Sequence, residues 1–198
     1  MDRRRDTKER GATMVESAII TPVLLLLIFA IFEFGFAFRN YLTIAHTVRD
    51  GAREASIGAD SGDADHRMLE AVASASAALP DGSIDRIVIW RASGPHDDVP
   101  SGCTSGSGVT GLCNVYTTAA FDIPAEEFGC QLVSNGDPYN SLDRFWCPTG
   151  RNVTAGSGLD FVGIHIQITH DYITGLFGDQ IVFTDQIILK VEPQENTT

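Results

Sequence analysis

The sequence predicts an α+β protein in which a long N-terminal transmembrane helix continues into an exported domain. That domain is expected to hold a second helix and a small antiparallel β-sheet with disulfide-tied loops. Three observations lead to this prediction: a mostly apolar run of 22 residues near the N-terminus, later stretches with apolar residues at helical spacing, and further stretches that alternate apolar and polar residues. We expect four segments: a basic leader at 1–11, a transmembrane helix at 12–38, its continuation at 39–57 and the exported domain at 58–198.

The composition indicates a folded chain with room for one modest domain. Of its 198 residues, 43% are hydrophobic and 20% are charged, which is unlike a disordered protein. The formal net charge is −12, and beyond position 59 six Lys and Arg residues stand against nineteen Asp and Glu residues. Because phosphate binding depends on clustered Lys and Arg, nucleic acid is not expected as a partner.

The apolar run predicts one membrane-spanning helix. Residues 17–32 carry no charge, Glu33 interrupts the run, and apolar character resumes up to Phe38. The 22 residues of 17–38 can cross a hydrocarbon core of about 30 Å at about 1.5 Å per residue. The alternative is a cleaved secretory signal peptide, whose apolar core is only about 7 to 15 residues and ends at a small-x-small site. Residues 34–38 match such a site poorly.

Charges on the two sides of the span predict its orientation. Three basic residues follow it within fifteen positions, Arg39, Arg49 and Arg53, and five precede it. The preceding five are Arg3, Arg4, Arg5, Lys8 and Arg10. This bias places the N-terminus in the cytoplasm and the C-terminal domain outside it.

Export predicts that the four cysteines form two disulfides, because thiols oxidise in extracytoplasmic compartments. They are Cys103, Cys113, Cys130 and Cys147. Three pairings are possible, and we favour nearest neighbours, Cys103 with Cys113 and Cys130 with Cys147. Each bridge then closes a loop with little regular structure and stabilises the fold by about 2 to 4 kcal/mol.

The helix is predicted to continue beyond the membrane. Apolar residues recur there on one face: Tyr41, Ile44, Ala45, Val48, Ala52 and Ala55. This stripe could pack against the chain's own domain, against neighbouring subunits, or against both. Gly35 and Gly51 weaken the helix locally. A second helix is marked by Met68, Leu69, Val72, Ala75 and Leu79 and is stopped at residues 80–82.

Four later stretches are predicted as strands: 84–90, 115–121, 161–172 and 180–191. In the third, isoleucines alternate with polar residues, which predicts one buried and one solvent-facing side. Gly175 and Gly178 bound a short link, so the last two strands should form an antiparallel hairpin. Residues 124–158 show neither period and are expected to be irregular.

No motif of an enzyme or of a metal site emerges from the sequence. There is no nucleophile elbow, no HExxH and no phosphate-binding Gly-rich motif with Lys. The acidic cluster Asp60, Asp63 and Asp65 lacks the order of a calcium-binding EF-hand. His165 and His170 are separated by an odd number of positions, which places them on opposite faces of a strand. We therefore expect no catalytic residue, cofactor or metal.

Glu16 stands at the start of the apolar helix. A carboxylate costs about 2 to 3 kcal/mol if it reaches the bilayer interior. Either it sits in the headgroup region or something compensates its charge.

Residues 11–16, Gly-Ala-Thr-Met-Val-Glu, with Ala18, Pro22 and the leucines of 24–27 behind them, resemble prepilin-like proteins. More narrowly, residues 10–57 resemble TadE-like pseudopilins of the Tad/Flp tight-adherence pilus and secretion system. The resemblance implies cleavage by a prepilin peptidase after Gly11, with Ala12 as the first mature residue and Glu16 as the fifth. The small Ala12, the Glu16-Ser17 pair and the size of the chain differ from the major Flp pilins and favour a minor pseudopilin.

The resemblance implies that the protein acts by assembly rather than catalysis. Its expected partners are other pseudopilins, the Tad platform proteins, the prepilin peptidase and membrane lipid, with Glu16 and Pro22 in the assembling helix. The alternative is a signal-anchored extracytoplasmic binding or hydrolytic protein that uses the helix only as a tether. Cleavage at Gly11 discriminates the two, because a tether has no need of it.

Overall fold

The computed structural model describes residues 3–130, 141–154 and 158–193. Parts of the predicted leader and of the predicted irregular insert therefore lie outside the described residues. The first element is a single helix, α1 (Arg3–Ser56), of 54 residues. It contains both the apolar run and its continuation, so the predicted long N-terminal helix is confirmed, and it already includes most of the expected leader. At about 1.5 Å per residue, α1 is about 80 Å long.

The second helix, α2 (Ala64–Ala75), is confirmed but does not extend to Leu79. Ser76 donates its N–H to Val72, and the next N–H groups, of Ala77 and Leu79, bond three residues back instead of four. The chain thus tightens into turns before the predicted stop. Leu79 is nevertheless 9% exposed and belongs to the core.

The four strands are β1 (Ile84–Ala92), β2 (Cys113–Tyr116), β3 (Phe161–Asp171) and β4 (Gln180–Lys190). They form one antiparallel sheet in the order β2-β1-β3-β4. The predicted hairpin is confirmed, with Asp171 opposite Gln180 at its closed end. The predicted strand at 115–121 is wrong in extent, because residues after Tyr116 form a 3-10 turn at Thr118–Ala120 that buries Ala120.

The main core lies between one sheet face and the two helices. Ile164, Ile166 and Ile168 of β3 are fully buried against the helices. The helices contribute Ile44, Val48, Ala52, Ala55, Met68, Leu69 and Val72 to this core. Most of the predicted stripe on α1 therefore packs against the chain's own domain. Ala45 is only partly buried and lies outside this core, and Tyr41 remains 42% exposed.

The second face of the sheet, opposite the helices, was predicted to face solvent. This prediction is wrong for the central part of the face. Residues 93–112 fold back over that face, and Val99 donates its N–H to the Gln186 side chain of β4. Trp90 is fully buried beneath this cover, and His165 is only 7% exposed. The alternating pattern of β3 is real, but a covering loop, which leaves no periodic signal, replaces solvent on the polar side.

The strand hairpin runs alongside α1 in the direction of the helix. The link between β3 and β4 lies at Glu33, and the end of β4 lies at Ser56, whose carbonyl accepts the N–H of Glu192. From residue 33 to residue 56 the helix rises about 35 Å, and the eleven residues of β4 extend about 35 Å. The long axis of the hairpin is therefore close to parallel with α1, and its closed end points toward the N-terminal half of the helix.

Candidate assembly and membrane-anchoring surface

The part of α1 that precedes Glu33 projects from the domain, and its mostly apolar surface is exposed. We call this part of the helix the rod. An 18-residue window within residues 11–56 has a mean hydropathy of 2.5, and none of that window is buried. Met14, Ile19 and Ile31 are 76%, 69% and 72% exposed. So much apolar surface requires an apolar surrounding. Among the described residues this is the one helix long and apolar enough to cross a membrane, which indicates single-pass anchoring.

The residues expected to direct processing and assembly all lie on this rod. Gly11, Ala12, Glu16 and Pro22 are exposed on α1. Ala12 and Glu16 are four positions apart, so they share one face of the helix. No hydrogen bond or ion pair to Glu16 occurs within the part of the chain that the structure describes. Pro22 lies inside the helix, which continues through it although Pro offers no N–H to the preceding turn.

Glu33, which the sequence showed only as an interruption of the apolar run, is 1% exposed. Its carboxylate accepts the N–H of Thr174 at 3.1 Å and the Thr174 hydroxyl at 3.4 Å. Thr174 lies in the link between β3 and β4, so the far end of the sequence covers this carboxylate. A charged residue inside an apolar run was the signal available, but the run alone could not reveal its partner.

A second buried polar contact holds β3 to α1 two helical turns further along. The Asn40 side-chain nitrogen lies 2.9 Å from Nδ1 of His170. Glu33, Ala37, Asn40 and Ile44 are spaced by four, three and four residues and are all buried, so they form one continuous face. Docking of the domain on α1 thus begins at Glu33. His165 lies on the other side of the sheet, in agreement with the predicted opposite placement.

An apolar groove lies beside this docking face, between α1 and the edge strand β4. Tyr41 contacts the ring of Phe183 at 5.8 Å between centroids, which explains why it is not part of the main core. Phe34 contacts Phe177 at 5.1 Å and Tyr172 at 6.5 Å. Aromatic side chains therefore concentrate where the helix leaves the domain.

Two carboxylates of the acidic cluster near α2 contact different partners within the domain. Asp65 is fully buried and bonds to Arg151 at 2.5 Å, Asn114 at 2.9 Å and the Tyr116 hydroxyl at 2.7 Å. Burial, followed by the Asp65 charge, raises the pKa of Tyr116 well above its usual value. Asp63 instead bonds to Ser61 and lies 3.6 Å from Arg67. Among the described residues, no three His, Cys, Asp or Glu side chains are grouped so that they could hold a metal ion.

Two disulfides fix the irregular parts of the domain. They join Cys103 to Cys113 and Cys130 to Cys147, the nearest-neighbour pairing that the sequence analysis favoured. Asp143 supports the second bridge by accepting the N–H groups of Gly129 at 2.7 Å and Cys130 at 3.1 Å. Burial raises the pKa of Asp143 above its usual value, and these two hydrogen bonds oppose that effect.

The rod, the docked domain and the disulfides define a class of protein: a membrane-anchored chain with one N-terminal helix and an acidic disulfide-bonded domain. Comparison with protein families narrows the class, because residues 11–53 match the model of the TadE-like protein family. The resemblance found in the sequence is thereby confirmed for this segment. The TadE-like family is structural and non-enzymatic, and the match supports a part in a Tad pilus system. No curated protein and no solved structure matches the chain significantly.

The matched segment includes Gly11, Ala12, Glu16, Pro22 and Glu33 and ends within α1. It leaves out α2, the sheet and both disulfides. The family match therefore concerns the anchoring helix, and the role of the outer domain has to be argued from the structure.

Proposed function

We propose that the protein is a minor pseudopilin that takes part in the assembly of a Tad/Flp-type pilus or secretion machine by helix packing. One contrast carries the proposal. Two carboxylates bracket the charge-free residues 17–32: Glu33 is covered by its own chain, whereas Glu16 is exposed and has no partner among the described residues. A carboxylate that reaches hydrocarbon is costly, and its own chain offers Glu16 no partner among the described residues, so Glu16 is suited to pair with a charge on another molecule.

Processing supplies a suitable partner. Cleavage after Gly11 by the prepilin peptidase frees a cationic amine on Ala12, one helical turn from Glu16. In an assembled bundle, Glu16 pairs with the freed amine of a neighbouring subunit. This pairing offsets part of the cost of holding either charge at the membrane. The exposed apolar residues between Glu16 and Glu33 pack against neighbouring helices, where van der Waals contact rather than hydrophobicity drives association within lipid.

Topology follows from the basic residues ahead of the span. The N-terminus is cytoplasmic and the acidic domain extracytoplasmic, where its disulfides form. The partners are other pseudopilins, the Tad platform proteins, the prepilin peptidase and membrane lipid. A periplasm-active reporter fused after Val191 is expected to be active, and a cytoplasm-active one silent; the reverse pattern would refute the orientation.

The decisive experiment compares Glu16→Ala with Asp50→Ala in cells that have an active Tad system. Asp50 is an exposed acid on the same helix but lies beyond the membrane, so it is a matched control. Glu16→Ala should insert into the membrane as well as the unsubstituted protein, yet lose co-purification with partner pseudopilins and lose piliation. Asp50→Ala should retain both.

Intact mass tests the processing step separately. The mature protein should lack residues 1–11, and Gly11→Trp should block their removal because the bulky side chain obstructs access to the peptide bond. A chain that starts at Met1 in cells with an active peptidase, or full assembly by Glu16→Ala, would favour the tethered-domain alternative.

A further inference from the structure

The closed end of the β3–β4 hairpin, residues 172–178, differs from an ordinary solvent-exposed turn. Its sequence, Tyr-Ile-Thr-Gly-Leu-Phe-Gly, carries no charge and is bracketed by Asp171 and Asp179. Ile173, Leu176 and Phe177 are 70%, 55% and 38% exposed. Turn tips in water favour polar residues, so three large exposed apolar side chains at one tip indicate an apolar partner. We call these three residues the tip patch.

The tip patch continues the apolar surface of α1. The Phe34 ring lies 5.1 Å from the Phe177 ring and 6.5 Å from the Tyr172 ring, measured between centroids. Phe36 and Phe38 of the helix are 43% and 61% exposed nearby in sequence. Because the hairpin runs close to parallel with the helix, its closed end points toward the membrane-spanning part. Tip and helix thus present one apolar surface to whatever surrounds the helix at this level.

Three N–H groups and one hydroxyl of the tip have partners within the chain. Thr174 donates both its N–H and its hydroxyl to Glu33, and Leu176 donates its N–H to the Thr174 hydroxyl oxygen. Tyr172 donates its N–H to the carbonyl of Asp179. Backbone groups that enter lipid need such internal partners because no water replaces them. Glu33 is itself shielded by this arrangement.

The length of the span brings the tip to the edge of the hydrocarbon. The charge-free residues 17–32 rise only about 24 Å, which is short of a core of about 30 Å. The remaining length of the hydrocarbon core therefore falls at the level of Glu33 and the tip. Charged residues lie on the domain side of the tip. Arg39 of α1 and Asp171 of β3 line one cleft together with Ile173.

From this geometry we propose that the tip patch inserts into the bilayer leaflet on the domain's side, with its apolar side chains at the boundary of headgroups and acyl chains. The occupant of this surface is lipid, because the patch continues the apolar surface of the anchoring helix. The hairpin then acts as a second membrane contact that fixes the tilt and height of the domain and covers Glu33. This inference depends on membrane anchoring by α1, but not on cleavage or on pilus assembly.

Depth-dependent fluorescence quenching tests it on the full-length protein in phosphatidylcholine vesicles. Leu176→Trp and, as a second site, Ile173→Trp place a reporter in the tip patch without disturbing the core. The native Trp90 and Trp146 are buried, and their emission in the unsubstituted protein is subtracted. Ser107→Trp is the matched control. Residue 107 is exposed and lies in the connection from β1 to β2, which joins these strands at the end of the sheet away from the tip, where Trp90 pairs with Cys113. Ile20→Trp reports on the span itself.

We expect lipids brominated near the headgroup to quench Leu176→Trp and Ile173→Trp strongly, with blue-shifted emission, and deeply brominated lipids to quench them less. Ser107→Trp should be unaffected, and Ile20→Trp should be quenched by deep bromines. If Ile20→Trp is quenched but both tip variants are not, the tip faces water or protein and the inference is wrong. If Ile20→Trp is not quenched either, membrane anchoring fails and the inference fails with it. Loss of piliation by Glu16→Ala is measured independently, so failure of the two proposals can be told apart.

Discussion

The N–H and the hydroxyl of Thr174 both donate to one oxygen of Glu33, across 141 residues of sequence. Glu33 is the only charged residue in 17–38, and an unpaired carboxylate in the apolar part of a membrane-spanning helix is costly. The contact satisfies that carboxylate with donors from the domain. It also sets the height at which the domain begins on α1, so one interaction couples the anchor to the sheet.

Glu33→Gln and Glu33→Leu should therefore differ. Gln keeps an acceptor oxygen for Thr174, whereas Leu removes it and leaves the donor facing an apolar surface, which costs about 1 to 3 kcal/mol. In thermal unfolding of the full-length protein in detergent, Glu33→Leu should clearly lower the unfolding temperature, and Glu33→Gln should lower it little. Asp50→Leu, on the exposed side of the helix, is the control and should cost less than Glu33→Leu. Equal losses for Gln and Leu would show that the hydrogen bonds do not matter.

Replacing Asp65 should be among the most damaging single changes in the domain. Its fully buried carboxylate faces the equally buried guanidinium of Arg151, and removing one partner of such a pair costs about 3 to 5 kcal/mol. In urea unfolding, Asp65→Ala is expected to lower the free energy of unfolding by this amount. Asp63→Ala, two residues earlier and with a side chain 45% exposed, should lower the free energy of unfolding by under about 1 kcal/mol.

The double variant Asp65→Leu with Arg151→Met should recover much of the stability, because no buried charge then remains unpaired. If the double variant is as unstable as Asp65→Ala, packing or the hydrogen bonds that Asn114 and Tyr116 donate to Asp65, rather than charge, determine the cost at this site.

The sequence predicted those elements whose signal is local. The anchoring helix, the stripe of Ile44 to Ala55 and the hairpin all have a period or a turn that can be read along the chain. The family match extends only over such a segment. Errors arose where the local signal was incomplete: the run after Tyr116 is apolar enough for a strand, but its backbone turns to bury Ala120.

Long-range partners were beyond sequence reasoning. In the sequence, Asp65 stands with Asp60 and Asp63 near the start of a helix, and nothing local indicates its partner Arg151, which is 86 residues away. The sequence predicts that Gly51 weakens the helix. In the structure, a Cβ at Gly51 would lie 2.7 Å from a methyl group of Val72, so this glycine allows α1 and α2 to approach closely.

Loss of the Cys103–Cys113 bridge should cost more than loss of Cys130–Cys147. Loop entropy alone predicts the reverse by about 0.5 kcal/mol, because the sequence separations are 10 and 17 residues. However, Cys103 and Cys113 are fully buried in the small core around Trp90, so removing them also loses packing. Urea unfolding of the two paired Cys→Ala variants checks this order, and the opposite order would mean that loop closure dominates.

Gly163→Ala should destabilise the sheet through Trp90. A Cβ at this position would lie 2.3 Å from atoms of the fully buried indole, and overpacking of this kind costs about 1 to 3 kcal/mol. Gly150→Ala is a suitable control, since no atom lies within 4 Å of its added Cβ. Combining Gly163→Ala with Trp90→Phe should restore part of the loss; no restoration would place the cost in the backbone.

His165 should make the domain less stable as the pH falls. Burial, helped by the positive charge of Arg86 and opposed by Asp185, lowers the pKa of His165 below the usual 6.5. Between the folded pKa and 6.5 the unfolded chain binds more protons than the folded one, so stability rises with pH across this window. The contribution is complete above 6.5 and is lost as the pH falls toward the folded pKa.

Urea unfolding between about pH 8 and about pH 5.5 should show this slope, and His165→Gln should flatten it, because Gln does not titrate. His46→Gln, on an exposed face of α1, is the control for replacing a histidine. A slope unchanged by His165→Gln would assign the acid sensitivity to other groups.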